Sequence, residues 1–209
     1  MLTQNTSLVL PIEERELSPL HRILLHSNGT VTQTLRQWTG SLINLIKPEI
    51  NTCFLWNKLH KYDLYYKSDR LRSCKDFKYR EVILQCAKTK INLVYALSLI
   101  CVKNLTSTIL HKLDHSDLGI GMIIEAEKLE TYREILIFSK FKVDDVHFFR
   151  KIFPHAHHHI LHRAYVIYHA KNPCFVINEY FPSEPEHFDF QIATSDKKRI
   201  LNYRKKSFE

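Results

Sequence analysis

The sequence predicts an α+β fold, a single domain in which an antiparallel β-sheet carries helices on one side. Two pairs of apolar, strand-like segments predict the sheet, because each pair is joined by a short polar turn and one segment of each pair alternates with period two. The first pair covers 77–87 and 92–102, and the second covers 160–170 and 174–182, on either side of Lys171–Pro173. Adjacent segments of this kind are typical of antiparallel hairpins. A chain of 209 residues is long enough for one good core and short for two.

Two helices are predicted before the first hairpin. Pro19 follows Ser18 at the start of an apolar stripe, and proline suits the first turn of a helix. Asn28–Gly29 ends that stripe. Thr30 then stands where its side chain can cap a second helix, which ends at Gly40.

The remaining segments have weaker patterns. In chain order they predict a short strand within 41–47 before Pro48, an irregular or helical segment at 51–66, a capped helix at Thr106–His111, a loop that includes 118–121, a strand-like or mixed stretch at 128–143 and a helix within 143–154. We expect a polar N-terminal extension over 1–19, one domain over 20–182 and a polar C-terminal tail over 183–209.

Composition limits the function classes. A net charge of +8 and a pI near 9.2 suit a nucleic acid, an anionic surface or an anionic substrate as the partner. The sequence contains no nucleic-acid-binding signature and no glycine-rich phosphate loop. Its longest apolar run has about twelve residues, which is too few to span a bilayer, and the N-terminus lacks a signal-peptide pattern. We therefore expect a soluble monomer with a small-molecule partner, no nucleic acid and no membrane span.

The cysteines and histidines raise the question of a metal site. Five widely spaced cysteines without a CxxC pair indicate reduced thiols rather than a disulfide framework or a zinc site; they are Cys53, Cys74, Cys86, Cys101 and Cys174. The tract HAHHHILH at 155–162 has four histidines at helical spacing, but no carboxylate or cysteine accompanies them at ligand spacing. We interpret the tract as an exposed polar turn, with a metal site as the alternative, and we expect neither a metal nor a cofactor.

Two charged residues of the strand-like segments are singled out because they lie on apolar faces, where an unpaired ion costs several kcal/mol. Arg80 shares a face with Val82 and Leu84 in FKYREVILQC. Glu179 shares a face with the apolar residues of CFVINEYFP. These positions indicate a pocket for a ligand that is both charged and hydroxylated. The alternative is a structural ion pair between Arg80 and Glu179 across the sheet.

Several segments, taken together, resemble the bacterial chorismate pyruvate-lyases. They are HRILLHSNGTVTQTLRQWTG, YREVILQC followed by LVYALSLI, SDLGIG, and HRAYVIYHAKNPCFVINEYFP, which occur in the family's order over about residues 20–182. The first and last of them are most similar to the chorismate-lyase-like proteins of cyanobacteria and red-algal plastids. The resemblance therefore implies a location in the plastid stroma, or in the cytoplasm of a bacterium.

The resemblance also implies a fold, a reaction and a set of residues. The family encloses its ligand beneath helical flaps over an antiparallel sheet, and it eliminates pyruvate from chorismate to give 4-hydroxybenzoate without a cofactor or metal. In this sequence Arg80 matches the arginine that binds the ring carboxylate, and Glu179 matches the glutamate at the hydroxyl end of the ring. The backbone amides of Val31 and Leu118 match those that help to hold the carboxylate. In this family the product commonly feeds quinone biosynthesis.

Some features differ from the family pattern. The second strand, VYALSLI, lacks an arginine that the bacterial enzymes carry near a product-exit site. This difference concerns product handling and not the reaction itself. Because the same fold serves as the effector-binding domain of some bacterial transcription regulators, a binding or sensor protein that recognises an aromatic acid without reacting it is an alternative to an enzyme. A plastid structural or RNA-associated protein is a third possibility, in which Arg80 and Glu179 would pair with each other.

Overall fold

A computed structural model describes residues 10–48, 74, 76–143, 147–184 and 188. The predictions for 51–66 and for nearly all of the C-terminal tail lie outside these residues, and the domain boundaries stay predictions. Of the N-terminal extension, Leu10 forms an antiparallel bridge with Lys140 through two backbone hydrogen bonds of 2.9 Å.

The predicted antiparallel sheet is confirmed. It has six strands, which are β1 (Ile43–Ile46), β2 (Phe77–Cys86), β3 (Asn92–Cys101), β4 (Thr131–Lys142), β5 (His159–His169) and β6 (Asn172–Pro182). Their order in the sheet is β1-β2-β3-β6-β5-β4, and every neighbouring pair is antiparallel. Both predicted hairpins, β2–β3 and β5–β6, are present, and the pairing of β3 with β6 joins them at the centre of the sheet.

Five α-helices accompany the sheet in the described residues. They are α1 (Pro19–His26), α2 (Val31–Thr39), α3 (Ser107–His115), α4 (Ile120–Ala126) and α5 (His147–Ile152). Ser18 Oγ accepts a hydrogen bond from the His21 amide and so caps α1. Thr30 occupies the N-cap of α2, but its side chain accepts no hydrogen bond there, so the predicted role of that side chain is wrong. Gly40 ends α2 in the left-handed region with φ 59°, which glycine adopts without strain.

One expected loop is a helix. The sequence predicts a loop that includes 118–121, but Gly119 is the N-cap of α4 and Gly121 lies within that helix. Helix α4 buries Ile120, Ile123 and Ile124 against α3 and the sheet. Burial of this apolar stripe outweighs the cost of about 1 kcal/mol that an internal glycine imposes on a helix.

Alternation along the strands divides the core into two layers. Helices α1 and α2 pack with Leu84, Val94 and Phe181, while α3 and α4 pack with other residues of that same sheet face. Helix α5 packs on the opposite face, against Tyr95 and Tyr180. The α+β class is thus confirmed, and α5 covers the sheet face opposite to the one that α1 to α4 cover.

The cysteine prediction is wrong for one pair. Cys74 and Cys101 form a disulfide that joins residues 27 apart in the sequence. Cys86 and Cys174 are free and buried, and Cys53 lies outside the described residues. Sequence spacing did not indicate the pair, because the approach of Cys74 to the end of β3 is a tertiary contact.

The histidine prediction is wrong for the end of the tract. His159 and His162 belong to strand β5, so the histidines at helical spacing do not share one face of a helix. The His162 ring is fully buried, with Nδ1 2.8 Å from Ser139 Oγ and Nε2 3.0 Å from Asn178 Oδ1. No group of three or more histidine, cysteine, aspartate or glutamate side chains among the described residues is placed to hold a metal ion.

Candidate functional site

Arg80 and Glu179 point from the same face of the sheet. Arg80 lies opposite Ser98, which lies opposite Ile177, and Glu179 is two residues further along β6. Two strand spacings across the sheet and two residues along it place their Cα atoms about 12 Å apart. The two residues form no ion pair in the described structure, so the alternative of a direct Arg80–Glu179 pair is wrong.

A cavity lies between this face of the sheet and the covering helices. Arg80 and Glu179 both line it, together with residues from the start of α2, the start of α4 and strand β4. Among the apolar lining residues are Val82, Leu84, Ala96, Ile167 and Ile177. The cavity thus combines an apolar wall, suited to a carbon ring, with charged groups at separate positions.

Arg80 is 9% exposed and is held by one hydrogen bond. Its Nη2 donates to the Leu118 carbonyl oxygen at 2.7 Å, while its Nε has no acceptor among the described residues. Burial lowers the pKa of Arg80, and the more distant charges of Asp114 and Asp117 oppose that effect. Because arginine stays protonated in proteins, Arg80 presents a partly desolvated cation with unused donors to the cavity.

Glu179 is 6% exposed and receives two hydrogen bonds from β5. Arg163 Nε donates to Oε2 at 2.5 Å, and the Tyr165 hydroxyl donates to Oε1 at 3.1 Å. Burial, with the nearby Glu179 carboxylate, raises the pKa of Tyr165, so its hydroxyl stays protonated and remains a donor. Despite its burial Arg163 has a raised pKa, because the Glu179 carboxylate stabilises its charge. Each Glu179 oxygen thus accepts one hydrogen bond and retains the capacity to accept another.

The two predicted backbone contacts differ in their surroundings. Val31 is the first residue of α2 and lines the cavity, and its N–H has no acceptor among the described residues. The positive end of the helix dipole adds to this arrangement, which suits an anion. The Leu118 N–H instead lies 3.4 Å from Ser116 Oγ, and the Leu118 carbonyl is the group that contacts Arg80.

Comparison with protein families gives one result that matches this geometry. The family model described as "Chorismate pyruvate-lyase Rv2949c-like" matches residues 25–189, which is most of the chain. The chain belongs to this family. The resemblance found in the sequence motifs is thereby confirmed at the level of the chorismate pyruvate-lyase family. A comparison with curated proteins found no match. No helix in the described part of the chain is long and apolar enough to cross a membrane.

Three residues of the candidate site were not predicted from the sequence. Arg163 and Tyr165 on β5 bind the predicted Glu179, and Arg133 on β4 lines the cavity. The sequence did carry a signal for Arg163 and Tyr165. They are two residues apart in HRAY, so they lie on the same face of a strand. Their relation to Glu179 depends on the β5–β6 register, in which Arg163 lies directly opposite Glu179.

Proposed function

We propose that this protein is a chorismate pyruvate-lyase that eliminates pyruvate from chorismate to give 4-hydroxybenzoate. The observation that carries the proposal is a single cavity, in a member of this family, lined by a buried arginine and a buried carboxylate on one sheet face. Their Cα separation of about 12 Å leaves room for a carboxylated ring between the two side chains.

The proposed roles follow from the chemistry of each group. Arg80 binds the ring carboxylate through its planar guanidinium, and the Val31 and Leu118 backbone amides add hydrogen bonds to the same group. The Leu118 amide would exchange its long contact with Ser116 Oγ for the ligand. Glu179 accepts a hydrogen bond from the ring hydroxyl at the other end.

The reaction needs no net oxidation or reduction. The C3–O bond breaks, C4 loses its hydrogen as a proton, and the released enolpyruvate gains a proton at its methylene carbon to become pyruvate. Arg163 and Tyr165 hold the Glu179 side chain in place through two hydrogen bonds, which suits it to act as an acceptor at the C4 end of the ring. The apolar wall excludes water and fixes the conformation of a substrate already inclined to eliminate.

The direct test is turnover of chorismate by the purified protein. The wild type should release pyruvate and 4-hydroxybenzoate in equal amounts, and Arg80→Ala and Glu179→Gln should each lower kcat/KM at least about 100-fold. Arg80→Lys should also be strongly impaired, because an ammonium cannot form the bidentate contact. Wild-type rates no higher than those of the two variants would exclude the proposal.

The second candidate is a binding protein for an aromatic acid that performs no chemistry. It is favoured by the two hydrogen bonds that Glu179 already accepts from Arg163 and Tyr165, because they give this residue a structural role that needs no reaction. Calorimetry with 4-hydroxybenzoate separates the two candidates. Binding of 4-hydroxybenzoate without release of pyruvate from chorismate supports the binding protein. If the protein neither binds 4-hydroxybenzoate nor releases pyruvate, both candidate functions are rejected.

We further propose that the product enters quinone biosynthesis in a plastid or in a bacterial cytoplasm. The support is the motif similarity to cyanobacterial and red-algal plastid proteins. Labelled 4-hydroxybenzoate recovered in the quinones of the source organelle or cell is the expected result, and recovery of label elsewhere only would contradict it.

A further inference from the structure

Arg133 is a second cation on the cavity and has no role in the function proposed above. It extends from β4, is half-buried and lines the same cavity as Arg80 and Glu179. Its guanidinium carbon lies 5.6 Å from the centre of the Tyr165 ring. Its Nη1 donates to the backbone carbonyls of Asn28 and Gly29, in the loop between α1 and α2.

These contacts leave part of Arg133 unused. Its hydrogen bonds all come from Nη1, so Nε and Nη2 donate to no residue in the described parts of the chain. Backbone carbonyls are neutral, and no carboxylate pairs with Arg133 among those same residues. Arg133 therefore brings to the cavity a cation that has no ion pair and has unused donors within the described part of the chain.

The balance of charge around the cavity points to a doubly charged ligand. Arg163 compensates Glu179 in a buried ion pair, so these two residues contribute no net charge. Arg80 and Arg133 each remain without an ion pair within the described structure. Two uncompensated arginines on one partly apolar cavity match a dianion better than a monocarboxylate.

The position of Arg133 indicates which end of the ligand it contacts. It stacks beside Tyr165, whose hydroxyl binds Glu179, so it lies toward the end of the cavity opposite Arg80. In chorismate the enolpyruvyl ether is attached next to the carbon that bears the hydroxyl. A hydroxyl on Glu179 would thus direct the enolpyruvyl carboxylate toward Arg133.

We propose that Arg133 binds the enolpyruvyl carboxylate of the substrate and selects dicarboxylic enolpyruvyl ethers over aromatic monocarboxylates. This inference rests on the function proposed above. After pyruvate has left, 4-hydroxybenzoate carries no second carboxylate for Arg133 to bind. The contact therefore strengthens binding of the substrate and not of the product. Arg80, in contrast, serves both ligands.

The test compares Arg133→Gln and Arg133→Lys with Arg22→Gln, which removes an exposed arginine of α1 away from the cavity. For Arg133→Gln we expect kcat/KM for chorismate to fall about 10- to 100-fold, the typical effect of a lost charged hydrogen bond. The Kd for 4-hydroxybenzoate should change less than about 2-fold, because that ligand lacks the second carboxylate. Arg133→Lys should retain part of the activity, and Arg22→Gln should match the wild type.

A purely structural role for Arg133 predicts a different pattern. If the residue only holds the Asn28–Gly29 loop, Arg133→Gln should lower the melting temperature and weaken chorismate and 4-hydroxybenzoate equally. Either that pattern or an unchanged kcat/KM would overturn the inference.

The inference can also be decided without turnover. If the wild type forms no pyruvate, the proposed reaction fails, and calorimetry with chorismate and 4-hydroxybenzoate replaces the kinetic assay. A selective loss of chorismate affinity in Arg133→Gln then still supports the inference. A parallel loss, or no wild-type binding of chorismate, rejects it.

Discussion

At the scale of single residues, Arg163 connects Glu179, the candidate catalytic residue, to the C-terminal end of helix α1. It is 1% exposed and donates from Nε to Glu179 and from Nη1 to the carbonyls of Leu25, at 3.2 Å, and Ser27, at 3.0 Å. A buried ion without a partner is strongly destabilising, so Arg163 and Glu179 each depend on the other for a stable place in the core. The same bonds fix the direction of the Glu179 carboxylate toward the cavity.

Removal of Arg163 should therefore leave Glu179 buried without its ion-pair partner. We expect Arg163→Met to lower the free energy of unfolding by about 3–5 kcal/mol, measured by urea denaturation. The double variant Arg163→Met/Glu179→Gln should recover part of this loss, because the remaining amide carries no charge. A double variant as unstable as the sum of the two single variants would show that the pair is not coupled.

At the scale of elements, the loop from Ser27 to Thr30 closes the cavity and has contacts on both sides. Arg133 and Arg163 bind its carbonyls from the sheet. On the other side Thr30 lies against α4, where a Cβ at Gly121 would meet Thr30 Cγ2 and Oγ1 at 2.8 Å. Gly121 thus permits a close approach of α4 to the start of α2.

This close contact gives a matched pair of substitutions. Gly121→Ala should lower the free energy of unfolding by about 1–2 kcal/mol, because overpacking that displaces the loop or the helix outweighs the gain of up to about 1 kcal/mol in helix propensity. Gly119→Ala is the control, since its Cβ would meet Thr32 Oγ1 at an ordinary 3.6 Å. In thermal denaturation Gly121→Ala should have a lower melting temperature than Gly119→Ala. Equal melting temperatures would contradict the packing argument. Thr30→Ser should relieve Gly121→Ala in part.

At the scale of the whole molecule, His162 links three strands on the face opposite the cavity. It bonds Ser139 of β4 and Asn178 of β6, and its ring stacks on Tyr180 with centroids 4.7 Å apart. Burial lowers the pKa of His162 from 6.5 to about 4. The residue is therefore neutral in the folded protein at neutral pH.

The stability of the protein should consequently fall in mild acid. Above pH 6.5 His162 is neutral in both states, but between pH 6.5 and about 4 the unfolded chain takes up a proton that the folded chain does not. The lowered pKa corresponds to a loss of about 3 kcal/mol across this range. Urea denaturation at several pH values measures it, and His162→Gln should reduce the slope. An unchanged slope in that variant would assign the acid sensitivity to other groups.

Local sequence determined most of the elements. Apolar segments at 77–87, 92–102, 160–170 and 174–182, joined in pairs by short polar turns, were enough to predict both hairpins, since strand and turn signals act within a few residues. The signals at Ser18, Pro19 and Gly40 likewise act within one helical turn. Helix α4 was missed because its glycines signal a loop locally, whereas burial of its isoleucines depends on neighbours distant in sequence.

The sequence by itself also singled out Arg80 and Glu179, because an ion on an apolar strand face is conspicuous without any structure. Only the tertiary structure decided their partners. The strand order β1-β2-β3-β6-β5-β4 separates Arg80 from Glu179 by two strand spacings and sets Arg163 opposite Glu179. It also brings Arg133 to the same cavity from the far edge strand. Periodicity fixes the face on which a side chain lies, whereas pairing between strands far apart in sequence fixes which charges meet there.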